Sequence, residues 1–193
     1  MKTERTDRRS ARTRRLLGEA LVALLQEKRY DEITVQDLLD RADVGRSTFY
    51  AHYHDKEDLL TGELERVVDV LGSHLGSGAG DWAIGIPSLG LFQHIQEHAK
   101  LYRALARGDG TAGIGRVLHR LLSQRVEQEL TARAGRPVPE LTRVLIAQAV
   151  AGTFLTLLRW WMDNGTAVTA EQIDSHFRRL LLPGIRQILA ETN

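Results

Sequence analysis

The chain has 193 residues, of which 42% are hydrophobic and 26% charged, and a formal net charge of +1. That is the makeup of a folded globular protein, one medium domain or a small domain joined to a larger one, and not of a disordered chain. With no cysteine, disulfides, thiolate nucleophiles and zinc–cysteine sites are excluded.

The charge is unevenly placed. Residues 1–15 hold seven basic side chains (Lys2, Arg5, Arg8, Arg9, Arg12, Arg14 and Arg15) against Glu4 and Asp7. Such an arm suits a polyanionic partner, and it equally suits a solvated terminus. It has no apolar stretch, so no secretory signal is expected. The longest nearly apolar run, Ala149–Leu158, is too short to cross a bilayer, which takes ~20 residues. A cytoplasmic protein without membrane contact is the expectation.

Helical periodicity dominates, and no strand-type alternation stands out. Leu17, Leu21 and Leu24 give a first helix, about Ser10 to Lys28, a buried stripe. Thr34-Val-Gln-Asp37 is a capping pattern that opens a second helix, with Val35, Leu38, Leu39 and Ala42 on its apolar face. Asp43-Val44-Gly45 breaks it after two turns, and a short third helix is expected from Arg46 to about Tyr53. Asp55 caps a long fourth helix with Leu60, Leu64, Val67 and Leu71 on its stripe; Glu57 and Asp58 sit where the helix dipole favours acids.

Residues 72–90 carry six glycines and Pro87 and read as a connection, pinned in part by Trp82 and Ile84. Two helices follow between Ser88 and about Arg107, with Gly108 as a stop. Another is outlined by Ile114, Val117, Leu121 and Leu130. After Pro137–Pro139 an apolar helix runs to Asn164, where Asn164-Gly165 ends it. Thr169-Ala-Glu-Gln172 is a second capping box. The last helix carries Phe177, Leu180, Leu181, Ile185 and Ile188, with a kink expected near Pro183.

A capped two-turn helix, a glycine-containing turn and a second short helix form a helix-turn-helix, whose second helix enters the major groove. Arg46, Ser47 and Thr48 supply donors at its start, and Phe49 can anchor it inward. Tyr50, His52 and Tyr53 offer polar tips, although either tyrosine could instead pack in the core. Lys56 stands where its ammonium and nearby backbone N–H groups can meet phosphate.

Residues 8–62 closely resemble the DNA-binding domain of the tetracycline-repressor (TetR) family of bacterial regulators. The likeness lies in Ile33-Thr34-Val35, Ala42-Asp43-Val44, Ser47-Thr48-Phe49-Tyr50-Ala51-His52-Tyr53 and Asp55-Lys56-Glu57-Asp58-Leu59-Leu60. It implies backbone contacts for Thr34, Thr48, Tyr50, His52 and Lys56, and base-facing positions for Arg46, Ser47 and Ala51. Gly45 departs from the more usual serine or acid and gives up a side-chain contact. Ala51 could meet a thymine methyl or nothing. The segments LLRWWMDNG and SHFRRLLLPGI also resemble the family's C-terminal domains.

The resemblance implies an all-α protein in two parts. A three-helix DNA-binding domain would span residues 1–55, and a helical effector-binding and dimerisation domain residues 56–193. The apolar pattern of residues 139–189 suits a helix pair that doubles into a four-helix interface, with Leu158, Phe177 and Leu181 as candidates. Phe92, His94, Tyr102, His119, Phe154 and Trp161 are candidate ligand-lining residues, and each could instead be plain core. The expected function is a homodimeric repressor of a near-palindromic operator on double-stranded DNA, released by a small-molecule effector. No catalytic residue, cofactor or metal is expected.

Alternatives remain. A C-terminal domain that only dimerises would need no effector. His94-Ile-Gln-Glu97-His98 matches a metalloprotease pattern, and both histidines share a helix face, but nothing clearly supplies a third ligand. Gly108-Asp-Gly110-Thr-Ala-Gly113 matches a dinucleotide-binding pattern but follows helix rather than strand.

Overall fold

The computed structural model describes residues 2–74, 86–106, 111–133, 138–164 and 168–191, and these contain helices without any strand. In order they are α1 (Lys2–Glu27), a single 3₁₀ turn (Tyr30–Glu32), α2 (Val35–Ala42), α3 (Arg46–Tyr50), α4 (Lys56–His74), α5 (Ser88–Glu97), α6 (Ala99–Ala106), α7 (Thr111–Arg133), α8 (Glu140–Asn164) and α9 (Ala170–Glu191). Trp82, Ile84 and the residues from Gly108 to Gly110 lie outside the described residues.

The chain forms two compact units. One contains Met1–Arg66 and Lys100–Ala112; the other contains Val67–Ala99 and Gly113–Asn193. The division falls within α4, eleven residues beyond the boundary drawn from sequence, and α6 belongs to the first unit.

In the first unit α1 packs on α2. Leu17, Leu21, Leu24, Leu38 and Phe49 are buried at its centre. α1 begins well before Ser10, because a run rich in Glu, Lys and Arg has good helix propensity and needs no cap at Ser10. Thr13 even donates back to the Arg9 carbonyl at 3.1 Å. Two ion pairs join α2 to the end of α1 and the residue just after it. Arg41 grips Glu27 with two bonds of 2.9 and 2.7 Å, and Lys28 meets Asp37 at 2.7 Å.

In the second unit α9 packs on both α5 and α8. α8 is long and apolar enough by length and composition to cross a membrane. One of its faces, however, carries Ile146, Ala147, Val150, Ala151, Phe154, Leu158 and Trp161, all buried in the protein. That face belongs to the core of the second unit. Phe92, Phe154 and Phe177 are within 6.3 Å of one another by ring centroid, and Trp161 stands edge-on to Phe92 at 5.7 Å. The indole N–H of Trp161 donates to the Val168 carbonyl at 2.7 Å, so the ring is buried without losing its polar contact.

The α5–α9 junction is polar at one end. Ser88 donates to Asp174 at 2.5 Å and Arg178 donates to the other carboxylate oxygen at 2.8 Å. Gln93 and Glu171 pair at 2.9 Å. Pro183 sits inside α9, near its exposed C-terminal part.

Candidate DNA interface

Thr34 caps α2 as the sequence indicates. Its hydroxyl accepts from the Asp37 N–H at 3.1 Å, and the Asp37 carboxylate accepts from the Thr34 N–H at 2.7 Å. Lys28 and Thr34 together hold the Asp37 carboxyl well below the usual carboxylate range, the Lys28 contact being the larger cause. α2 ends in a left-handed residue, Asp43 at φ 51°, a conformation that Asp tolerates better than most residues. The turn aims the Val44 N–H back at the Leu39 carbonyl, 3.1 Å away.

α3 starts at Gly45, where a Cβ would meet nothing within 4 Å. It stops at Tyr50, three residues short of expectation, where the His52 N–H makes a 3₁₀-type bond to the Phe49 carbonyl at 2.8 Å, which that carbonyl shares with the Tyr53 N–H at 2.9 Å. The last turn is thereby tightened rather than continued. Phe49 is fully buried, which fixes the rotation of the helix. Arg46, Ser47, Tyr50 and Ala51 are exposed on the other side, and Thr48 and His52 are half-buried. Of the two tyrosines, Tyr50 is 50% exposed whereas Tyr53 is core at 8%. Tyr53 packs against Gly62, whose Cβ position is 3.5 Å from its ring. Arg8, Arg9, Arg12, Arg14 and Arg15 are exposed along α1.

Lys56 departs from expectation. Its ammonium points back into the protein and donates to the carbonyls of Tyr30, Asp31 and Ile33 at 3.1, 3.3 and 2.7 Å. It also lies 4.8 Å from the Tyr30 ring centroid. An ammonium has three N–H donors, and here all have protein acceptors. α4 is capped by Asp55, as the sequence indicates: its carboxylate accepts from the Asp58 N–H at 2.8 Å.

Two of the three interface candidates are corrected. Leu158 is 7% exposed and Phe177 is 0% exposed, so the chain's own core consumes both; Leu181 is half-buried. Besides Tyr50 and Val70, the large apolar side chains exposed among the described residues are Leu141, Leu145 and Trp160 on α8 and Leu180 and Ile188 on α9. Leu141, Leu145 and Trp160 share one stripe of α8 with Ala149 and Thr156, and Leu180 and Ile188 share one stripe of α9 with His176 and Gly184.

The candidate ligand residues are dispersed. Phe92, Phe154 and Trp161 fill the aromatic cluster of the second unit. His94 is half-buried beside His98, ring centroids 4.6 Å apart, and burial followed by the His98 charge lowers its pKa. His119 lies 3.5 Å from the Ser123 hydroxyl. Tyr102 belongs to the first unit, and burial pushes its phenol up to about 12. Among the described residues no three His, Asp or Glu side chains gather as a metal site.

Sequence reasoning missed Gln36. It stands exposed on α2 and accepts from Arg46 of α3 at 3.0 Å. Only its place in the first turn of a helix-turn-helix could have pointed to it.

Comparison with known proteins agrees with this geometry. Residues 17–61 match the family described as "Bacterial regulatory proteins, tetR family". Residues 88–182 match the one described as "Transcriptional regulator C-terminal region". An uncharacterized HTH-type transcriptional regulator of Bacillus subtilis (strain 168), YxbF, is 39% identical over 75 residues, 38% of this chain. The match spans only 20% of that relative's length. The structure of a TetR transcriptional regulator from Streptococcus agalactiae 2603V superposes with a TM-score of 0.60 at 25% identity, covering 93% of this chain and 98% of that one. NalD of Pseudomonas aeruginosa, the secondary repressor of the MexAB-OprM multidrug efflux pump, gives 0.57 at 18%, covering 91% and 97%. The dihydroxyacetone kinase operon activator DhaS gives 0.59 at 19%, covering 90% and 96%; at these identities the last two share the fold alone. With a helix-turn-helix at residues 34–53, helices throughout the described residues and both family matches in chain order, the protein belongs to the TetR family of DNA-binding transcriptional regulators, which are not enzymes.

Proposed function

We propose that the protein is a cytoplasmic homodimeric repressor that binds a near-palindromic operator and is released by a small, largely apolar effector. The observation that carries the dimer is the pair of exposed apolar stripes on α8 and α9. Large side chains at the ends of the α8 stripe flank Ala149 and Thr156, and small central residues let a partner helix approach closely. Two copies of these faces make a four-helix interface under two-fold symmetry. Two-fold symmetry in the protein calls for two-fold symmetry in the DNA.

On each half-site Arg46, Ser47 and Ala51 face base edges, and Thr34, Thr48, Tyr50 and His52 contact the backbone. Arg8, Arg9 and Arg12 add phosphate contacts from α1. Lys56 acts as an internal strut in place of the phosphate contact. A repressor, NalD, and an activator, DhaS, share this fold, so the fold does not set the sign, which is read in a reporter assay. Selection of bound duplexes from a random pool tests the whole reading. A symmetric consensus with two half-sites, and log affinity falling at ~0.9 per phosphate neutralised as log salt rises, is the expected result. Equal affinity for random duplex at physiological salt would defeat it.

The proposed effector contacts are Phe92, Phe154 and Trp161, with His94 and His119 as polar candidates of the same unit. A second reading, a C-terminal part that only dimerises, draws on those same rings, which already serve as one another's neighbours. A thermal-shift screen followed by operator-binding assays separates the two: stabilising compounds that release DNA support the first.

A further inference from the structure

Arg46 has a side-chain partner within the helix-turn-helix itself. Its Nη2 donates to Gln36 Oε1 at 3.0 Å, and Gln36 Nε2 donates to Asp40 Oδ1 at 2.8 Å. Gln36 and Asp40 stand one turn apart on α2, a spacing at which side chains meet. All three residues are exposed.

The direction of this chain follows from chemistry. A carboxamide has one accepting end and one donating end, whereas an ionised carboxylate only accepts and a guanidinium only donates. Asp40 therefore takes the amide N–H of Gln36. That turns the carbonyl oxygen towards Arg46, the one end that a guanidinium can use. One hydrogen bond consumes one of the five guanidinium donors and leaves the others for a base edge. The bidentate match of a guanidinium is to the O6 and N7 acceptors of guanine in the major groove.

We propose that Gln36, oriented by Asp40, is a positioning residue for Arg46 and thereby sets operator preference at the base pair Arg46 reads. This rests on the reading that Arg46 faces bases. A side chain with Arg's rotamer freedom must be ordered when it binds, and a prior partner removes part of that cost. Gln36 supplies the partner from the neighbouring helix, so α2 contributes to base recognition through α3.

The test is a double-mutant cycle with Arg46→Ala, Gln36→Ala and the pair, measured on the selected operator and on its single-base variants. Gln36 is exposed, and unchanged circular dichroism and melting temperature serve as the folding control. Gln36→Ala is expected to weaken operator binding roughly two- to tenfold, the usual cost of ordering one long side chain. It should broaden preference at the same base pair that Arg46→Ala broadens, and add little loss in the Arg46→Ala background. Additive losses would mean that Gln36 touches DNA by itself, and a uniform loss over all duplexes would mean general adhesion; either overturns the proposal alone. If Arg46→Ala leaves base preference untouched, the base-reading assignment falls and the positioning role falls with it.

Discussion

The ammonium of Lys56 donates to the carbonyl of Ile33 at 2.7 Å, which ties the first residue of α4 to the residue just before the cap of α2. Hydrogen bonds from a charged donor are worth more than neutral ones, and removing the donor takes a partner from three carbonyls, of which that of Tyr30 keeps the Ile33 N–H at 3.2 Å. Lys56→Met is therefore expected to destabilise the protein by about 1–3 kcal/mol. Arg is expected to restore it poorly, since a planar fork cannot reproduce a compact three-donor head. Urea unfolding checks this. A variant that keeps its stability but loses ~0.9 from the salt slope of DNA binding would return Lys56 to phosphate contact.

Tyr30, beneath that ammonium, is buried, and its hydroxyl meets no hydrogen-bond partner among the described residues. Burial, with the charges of Glu57 and Asp55, raises its pKa, so the group stays neutral. Phenylalanine keeps the ring under Lys56 and removes the unsatisfied group. Tyr30→Phe is expected to raise stability by about 1–3 kcal/mol, the usual penalty for such a group. A loss in thermal or urea unfolding would reveal a solvent partner for the hydroxyl.

Interface and core substitutions should separate cleanly. Leu145→Glu or Leu180→Glu changes an exposed side chain, so a folded monomer is expected in analytical ultracentrifugation with an unchanged helical spectrum. Leu158→Ala and Phe177→Ala empty space in the core and should cost about 2–5 kcal/mol. A dimer that persists in both Glu variants would remove the α8–α9 faces from the interface.

The α2 cap gives a pH dependence of known sign. The Asp37 carboxyl is held below its ordinary value by Lys28 and Thr34. A depressed acid contributes stability above its unfolded pKa of about 3.9 and loses it as pH falls towards the folded value. Asp37→Asn should thus lower stability at neutral pH and flatten its fall between about pH 5 and pH 2. Parallel curves for the two proteins would show that the ion pair does not form in solution.

Gly45 offers a gain. Its φ of −69° is open to any residue, and a Cβ there meets nothing. Gly45→Ser adds a capping side chain to α3 and restricts the unfolded chain, for about 0.5–1 kcal/mol of extra stability. A melting temperature below that of the parent would count against this cap geometry.

What the sequence discloses is what is local. Thr34 with Asp37, Thr169 with Gln172 and Asp55 before Lys56 are each within three residues, and each cap forms as its pattern implies. The buried stripe of α1 is likewise readable, because one face is apolar and the other charged. Lys56 reaches carbonyls 23 to 26 residues away, and Arg46 reaches Gln36 across a turn; no periodicity carries such contacts. α8 failed for a different reason. It is apolar almost all round, so its pattern names no inner face, and Leu158 looks no different from Leu145 until the neighbours are in place. The family likeness suggested that this helix dimerises, but not which of its leucines do so.

The aromatic cluster has a consequence for dose. Phe92 and Phe154 lie 4.6 Å apart and Phe154 and Phe177 5.7 Å apart, so an effector of the proposed kind, entering there, would compete with the protein's own rings. If the parted arrangement is populated in one molecule in about a hundred, the apparent affinity is a hundredfold weaker than the intrinsic one. The concentration at which such a regulator responds is then written into the cohesion of its resting interior. A change such as Phe177→Leu, at a residue outside the candidate lining set, would lower the response threshold by making the closed arrangement easier to leave.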